Sequence, residues 1–547
     1  MRGLGALIIE PQRPLRDGLR QMLVQCGLGR IDDATSAAEA IGRLRALQYD
    51  MILCEYDLGD GQDGQQLLED LRHHRLISAA TMFFMVTGEG NVARIVSAAE
   101  LAPTDYILKP FTADTMLERI GRALDKRSAF LPLHQLIGQG RERDAIAACV
   151  AGARAQPRYA VDFMRLRAEL HLQQGEAAEA EAIYAALYEA RGIAWARLGQ
   201  AQALVQRNRH DEAGVMLEAL LQQHKKFVEA YDWLARTHLA LGRPQQAQQV
   251  LAAALLLSPH ALRRLRTLSR VALENGDLDT AEQALKQVVG KARHSAFRDP
   301  QDHARLVQTL VRKGDPVQAA AVIRDLEHNM DGRSNAAACG AIATAMLHDY
   351  TGNGERLAEA LQRAVSACAD STGLADDLKL ELCRNCLDNG RADAAGDLLR
   401  DVMRNAPDGA AMARAMAVFE RAGRHDEALL LAHASRQDVA DMVAAGAARA
   451  RDGDYRGAVE LMGAAAGRLP DNPQVAFNAA VAVLKCLEHD GWDERLGQAA
   501  LGHIGAVRRI DPHNAKLATL SGMHQQILRK YNILAGHWTG QGTLPAP

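Results

Sequence analysis

The chain has 547 residues, more than one ordinary hydrophobic core holds, so several domains or a repeat array are expected. It is 48% hydrophobic but only 4% aromatic, and Lys+Arg 64 against Asp+Glu 67 leaves a net charge of −3. These values disfavour an all-β fold and a generally basic nucleic-acid binder. Eight cysteines make no disulfide framework, the longest aliphatic stretch (near 251–257) is too short to span a bilayer, and no apolar secretory leader follows Met1. A cytoplasmic, reduced protein without membrane insertion is expected.

Residues 1–128 alternate short apolar runs with helical patterns. Strands are predicted at 4–9, 50–54, 81–87 and 104–108, with a weaker one near 31–34. Helices are predicted at about 14–26, 36–47, 64–74, 91–101 and 112–125. This alternation implies a parallel sheet covered on both faces, with its site beyond the carboxyl ends of the strands. The residues at those ends are Glu10, Glu55, Thr87 and Lys109.

These ends carry a resemblance. Leu7-Ile8-Ile9-Glu10, Tyr49 to Glu55, Asp63-Gly64, Val86-Thr87-Gly88 and Asp105-Tyr106-Ile107-Leu108-Lys109-Pro110-Phe111 make the segment similar to a response regulator receiver domain. The resemblance implies a doubly wound five-stranded parallel sheet, flavodoxin-like. It implies a cis bond between Lys109 and Pro110 that aims Lys109 at a phosphoryl group, and a switch pair in Thr87 and Tyr106.

Receiver chemistry needs an Asp nucleophile and a divalent ion held by acidic oxygens. This sequence departs from that pattern twice. The acceptor position holds Glu55, and Pro11 follows Glu10 where a second metal-holding carboxylate is expected. Glu reaches roughly 1.5 Å further than Asp, toward Lys109 and Thr87. Ordinary phosphorylation is therefore not expected, since a reacting geometry tolerates little displacement. Glu10 and Glu55 could hold Mg only weakly, and no other cofactor or metal is called for. Glu55 reads in two ways: as a pseudo-phosphoacceptor that contacts Lys109 and imitates part of the phosphorylated state, or as the remnant of a decayed site on a docking surface. Asp57 is the one stand-in acceptor.

From residue 129 the helical periodicity is continuous. A Gly followed five residues later by Ala recurs at Gly140, Gly175, Gly242, Gly276, Gly314, Gly390, Gly423 and Gly453, and Asn208 takes the same place before Ala213. From Ala145 to Ala281 successive Ala positions are 35, 33, 34 and 34 apart. Gly or Asn would end one helix and a small Ala would let the next approach it. The pattern resembles the tetratricopeptide repeat of about 34 residues. The best copy runs through Tyr231, Leu234, Ala235, Gly242, Ala247, Leu251, Ala254 and Pro259. Residues 331–375 match poorly, with Gly352 or Gly354 marking a degenerate copy. The domains expected are a receiver-like domain at 1–128, an all-α array at 129–536 and a disordered tail at 537–547. A short stiff link over 125–132 would pack the receiver against the first repeats.

Such an array is a solenoid with a concave groove. Arg236, Arg263, Arg266, Arg270 and Arg312 are placed in it as a surface for carboxylate partners, against the alternative of a plain solvated face. Cys383 and Cys386 have redox spacing but no second pair, and Glu427-Ala428-Leu429, known from cyclic-dinucleotide phosphodiesterases, falls on a repeat packing residue. His73-His74 reads as an exposed pair. No phosphate-binding loop, zinc protease motif, nucleophile elbow or DNA-reading module is found.

The expected function is a non-enzymatic adaptor in bacterial two-component signalling. Its receiver would dock a histidine kinase, a phosphotransfer domain or another response regulator, or pair with itself through residues 91–123. Its repeats would bind an unknown protein. The alternatives are a phosphorylatable regulator with an unusual acceptor, and an assembly chaperone with the receiver as a structural cap.

Overall fold

The computed structural model describes residues 3–59, 62–88, 103–259, 261–293, 295, 297–330, 332–369, 371, 373–511, 514, 516–531 and 533. The helix expected at 91–101, residues 91–102 of the proposed self-pairing face and the tail at 537–547 lie outside the described residues. By contacts the chain divides into two compact units. One comprises residues 1–138, 142–170 and 177–298, the other 139–141, 171–176 and 299–547.

The N-terminal region is a five-stranded parallel sheet in the order β2-β1-β3-β4-β5, as expected. Its strands are β1 (Gly5–Ile9), β2 (Arg30–Ala34), β3 (Met51–Glu55), β4 (Met82–Thr87) and β5 (Asp105–Leu108). Helices α1 (Arg13–Gln25), α2 (Ala37–Ala46), α3 (Gly64–His73) and α4 (Ala113–Gly138) accompany them. Every residue of β1, β3 and β4 is buried, the uninterrupted apolar pattern of strands covered on both faces. One core layer gathers Leu7, Ile9, Ile52 and Phe83 under α2 and α3. The other gathers Ile8, Leu53, Phe84 and Ile107 under α1 and α4.

The expected link over 125–132 does not exist. Helix α4 runs unbroken from Ala113 to Gly138 with Pro132 inside it. Its first half puts Met116 and Ile120 into the sheet core. Its second half puts Phe130 and Leu133 into a cluster with Ala145, Cys149 and Phe163 of the first repeats. Phe130 stacks on Phe163 with ring centroids 4.3 Å apart. A proline removes a helical hydrogen bond and reads as a break. Here apolar anchors on both sides of Pro132 carry the helix through, so one helix serves both folds.

The array is built as its spacing predicts. Gly140, Gly175, Gly242, Gly276, Gly314, Gly390, Gly423 and Gly453 all adopt positive φ, and so does Asn208 at 58°. A left-handed residue ends a helix at little cost only when it is Gly or Asn. Ala145, Ala180, Ala213, Ala247, Ala281, Ala319, Ala395 and Ala428 are 0% exposed, because any larger side chain there would hold the two helices apart. In the degenerate copy Gly352 is the left-handed residue and Gly354 begins the next helix, with buried Leu357 in place of Ala. Farther on, His425–Arg451 is a single helix of 27 residues that runs from one repeat into the next.

In the last helix, Leu517–Lys530, His524 is 1% exposed, and burial pushes its imidazole down to about 4. It is neutral in the fold and protonated in the unfolded chain below about pH 6.5. Stability from this residue is therefore complete above that pH and declines as pH falls toward 4. Between pH 7 and pH 5 the helix should lose roughly 2 kcal/mol of protection in amide hydrogen exchange, and His524→Gln should remove that pH dependence.

Candidate functional site

The carboxyl ends of β1, β3, β4 and β5 bring Glu10, Glu55, Thr87 and Lys109 together, as their places in the sequence require. Glu55 ends β3, paired with Val86 of β4, and Thr87 pairs with Leu108 of β5. The Lys109–Pro110 bond is cis. The Lys109 backbone N–H donates to the Thr87 carbonyl at 2.7 Å.

The Lys109 side chain reaches two carboxylates. Its Nζ lies 2.5 Å from Glu55 Oε2 and 2.9 Å from Glu10 Oε2. The other oxygens are held by the backbone. Glu55 Oε1 accepts from the N–H of Tyr56 at 2.7 Å and of Asp57 at 3.2 Å, and Glu10 Oε1 accepts from Gln12 at 3.0 Å. Glu10 is 1% exposed and Glu55 9%. Burial by itself would lower the Lys109 ammonium, but its hydrogen bonds to Glu55 and Glu10 outweigh that and raise it. The lysine is charged at any physiological pH.

This donor set suits an ammonium rather than a divalent ion. Each carboxylate has one oxygen on Lys109 and the other on a backbone N–H, and Pro11 offers no side-chain ligand. The Asp57 carboxylate turns onto its own loop, where Oδ1 accepts from Gly59 N–H at 3.0 Å. Among the described residues no group of three or more His, Cys, Asp or Glu is placed to hold a metal ion. Gly64 shows how tightly the loop is laid over the site. A Cβ there would lie 2.4 Å from the Glu55 carbonyl oxygen and press on Met85 and Cys54. Asp63 caps α3 in a reciprocal capping box with Gln66. Thr87 is 1% exposed. The Tyr106 ring packs against the core beneath α3, with its hydroxyl oxygen buried.

The remaining residues singled out from sequence are scattered. Arg263, Arg266 and Arg270 share helix Leu262–Glu274 at intervals of three and four, hence one stripe. Arg270 pairs with Glu274 at 2.8 Å, and Arg236 lies over the Trp233 ring at 4.3 Å. Arg312 belongs to the second unit, where it pairs with Glu381 at 3.0 Å. Cys383 and Cys386 are fully buried, with thiols pushed up by burial to about 12 and about 11. They are packing residues. Ala428 is likewise in the core, while Glu427 pairs with Arg424 at 2.6 Å.

One contact was not legible in the sequence. Phe297, in the segment after helix Leu278–Ala292, packs against the receiver core between α2 and α3. The His74 imidazole stacks on it, centroids 3.6 Å apart and planes 12° apart, and the Arg45 guanidinium lies 5.7 Å from its centroid. Ser295 Oγ donates to Asp70 at 2.8 Å across 225 residues of sequence, and accepts the Phe297 N–H at 3.0 Å. No local pattern marks a pairing at that separation. Phe297 is half-buried, so its burial contributes less than the about 1.5–3 kcal/mol of a fully buried Phe, and ring stacking adds about 0.5–1.5.

Comparisons with known proteins bear on the two domains. Residues 6–121 match the family model for the response regulator receiver domain, and residues 204–271 and 238–299 match that for the tetratricopeptide repeat. The chain is 24% identical to the chemotaxis protein CheY-3 of Vibrio cholerae serotype O1 over 120 residues, 22% of this chain and 91% of that protein. It is 24% identical to the chemotaxis protein CheY of Bacillus subtilis over 119 residues, 22% of this chain and 96% of that protein. A solved tetratricopeptide repeat protein from Parabacteroides merdae aligns with 47% of this chain and 96% of its own, at 14% identity and a TM-score of 0.30. This chain carries a response regulator receiver domain followed by tetratricopeptide repeats. It is a signalling protein with a protein-interaction module. Among the described residues no helix is long and apolar enough to cross a membrane.

Removing the Lys109 charge would leave two buried carboxylates facing each other. Lys109→Met should destabilise the receiver by about 3 kcal/mol or more, read as lost exchange protection of β1 and β3 amides at pH 7. Glu55→Gln, which keeps the Glu10–Lys109 pair, should cost much less.

Proposed function

We propose that this protein is a non-enzymatic adaptor of a bacterial two-component pathway, with a receiver held near its active charge state by Glu55 instead of a phosphoryl group. The observation that carries this reading is the contact of Glu55 with Lys109. The Glu55 carboxylate joins that ammonium to the N–H groups of Tyr56 and Asp57, so it supplies a fixed anion where a phosphorylated side chain would place its oxygens. The inward Tyr106 fits the same state. A carboxylate carries only about half the charge of a phosphoryl group, so the imitation is partial.

In this reading the receiver works in the cytoplasm without magnesium. It docks a histidine kinase, a phosphotransfer domain or another receiver, while the repeats hold a second protein. A homodimer through residues 91–123 would set two arrays side by side and give avidity for a repeated partner. Sedimentation at micromolar concentration reads that dimer, and Glu55→Gln should weaken it.

The chemistry has a direct test. After incubation with acetyl phosphate and magnesium, mass spectrometry should find no stable phosphoryl adduct on the wild-type receiver. Glu55→Asp alone should restore little, and Glu55→Asp with Pro11→Asp more, since only the pair rebuilds both nucleophile and metal ligand. A wild-type adduct on Glu55 or Asp57 would replace the adaptor with a working phosphotransfer protein.

A further inference from the structure

Between two successive repeats the chain forms an open cavity of about 770 Å³. Its walls are the start of helix Ala194–Gln206, the end of helix His210–Gln223 and the turn that leads into helix Val228–Ala240. That volume lies within the range of about 300–1,000 Å³ found for ligand sites. The apolar part of the wall is Ile193, Trp195 and Phe227, all half-buried. Phe227 packs against the core cluster of Leu198, Leu217 and Leu234. The Trp195 ring is met edge-on by Tyr184, centroids 6.4 Å apart, and the Arg165 guanidinium lies 5.0 Å from its centroid. Arg165 is in turn held by Glu169 at 2.8 Å, so the indole is braced from the side of the preceding repeat.

The polar part of the wall has one sign of charge. Lys225 and Lys226 form the turn, which two hydrogen bonds fix. The Phe227 N–H donates to the His224 carbonyl at 3.0 Å, and the Tyr231 hydroxyl donates to the Lys225 carbonyl at 3.1 Å. Both lysines stay exposed. Among the described residues neither ammonium has a carboxylate partner, and no Asp or Glu lines the cavity. Cations on the neighbouring turns are neutralised, Arg209 by Glu212 at 2.5 Å and Arg243 by Asp211 at 3.2 Å. The cavity therefore sets uncompensated positive charge beside an apolar floor.

We propose that this cavity is where the repeats take hold of a partner protein: a short acidic segment whose one large apolar side chain seats on Trp195 and Phe227 while flanking carboxylates meet Lys225 and Lys226. Aromatic side chains already fixed in place lose little freedom when a partner covers them, which makes them effective anchors. The lysines select the sign of the segment, and their pull weakens with salt because they are exposed. An ammonium is a mobile point charge, so the carboxylates need no fixed spacing. This inference rests on the reading that the repeats hold a second protein, and it is independent of how Glu55 acts.

The test uses the full chain and fluorescent five-residue peptides read by polarisation. The acidic probe has a central Leu with Asp and Glu on each side. One control carries Ala in place of that Leu, and the other carries Asn and Gln in place of the acids. Wild type should bind the acidic probe about tenfold more tightly than either control, with affinity falling as salt rises. Amide protection over residues 222–228 should increase when the probe binds. Lys225→Glu with Lys226→Glu should weaken the probe at least tenfold and leave amide exchange in helix Val228–Ala240 unchanged, which separates lost binding from unfolding. Equal affinity for the probe and its controls, no binding up to about 1 mM, or unchanged affinity in the lysine variant would each overturn the proposal. Loss of binding in Arg236→Glu with the lysine variant unaffected would also overturn it, and would leave the repeats a protein-binding module at another face. The adaptor reading is overturned by a phosphoryl adduct instead, so the two failures are distinguishable.

Discussion

One ammonium group between two buried carboxylates organises the receiver site. Lys109 comes from the end of β5, Glu10 from just beyond β1 and Glu55 from the end of β3, so their contact draws together three strand ends of one sheet. Either carboxylate left alone in that setting would need solvent, a proton or an ion. With Lys109 present, each oxygen that does not meet the ammonium meets a backbone N–H. The side chains that would serve phosphoryl transfer in the family are thus engaged with one another. The Asp-to-Glu change and the proline at position 11 act together. The Glu55 side chain reaches the lysine, and Pro11 offers no side-chain ligand beside Glu10.

The array rests on a different constraint. Each helical pair needs a residue that turns left-handed and a small residue where the helices cross. The same two requirements recur from Gly140 to Gly453, and the copies tolerate wide drift in everything else. Where the small residue is lost, as at Leu357, the pair persists with its left-handed Gly352 in place. Where a break between helices is lost, as in His425–Arg451, two elements fuse without ending the periodicity.

Between these two folds there is no linker. Helix α4 is receiver at one end and repeat at the other. The continuous helix ties the sheet core to the first repeats through Met116 and Ile120 at one end and Phe130 and Leu133 at the other. The contact of Phe297 with α2 and α3 closes a loop of chain around this joint within a single unit.

The sequence by itself placed the strands at their apolar runs and the left-handed and small residues of the repeats, while the cis Lys109–Pro110 bond was legible only through the resemblance to a receiver domain. The first two rest on short-range rules: apolar runs for covered strands, Gly or Asn where φ must be positive, and Ala where helices cross. It also determined that Glu55 and Pro11 depart from the receiver pattern, since that needs only residue identity at a known place. The tertiary structure decided what local rules cannot reach. Pro132 reads as a break, yet Phe130 and Leu133 hold the helix through it because their partners lie in another repeat. Arg236, Arg263, Arg266, Arg270 and Arg312 read as one set, but Arg312 belongs to a different unit and is already paired. Phe297 looks like any loop aromatic until folding sets it beside His74 and Arg45. Such contacts join residues far apart in sequence, so they follow from how successive helices pack together and not from any single stretch.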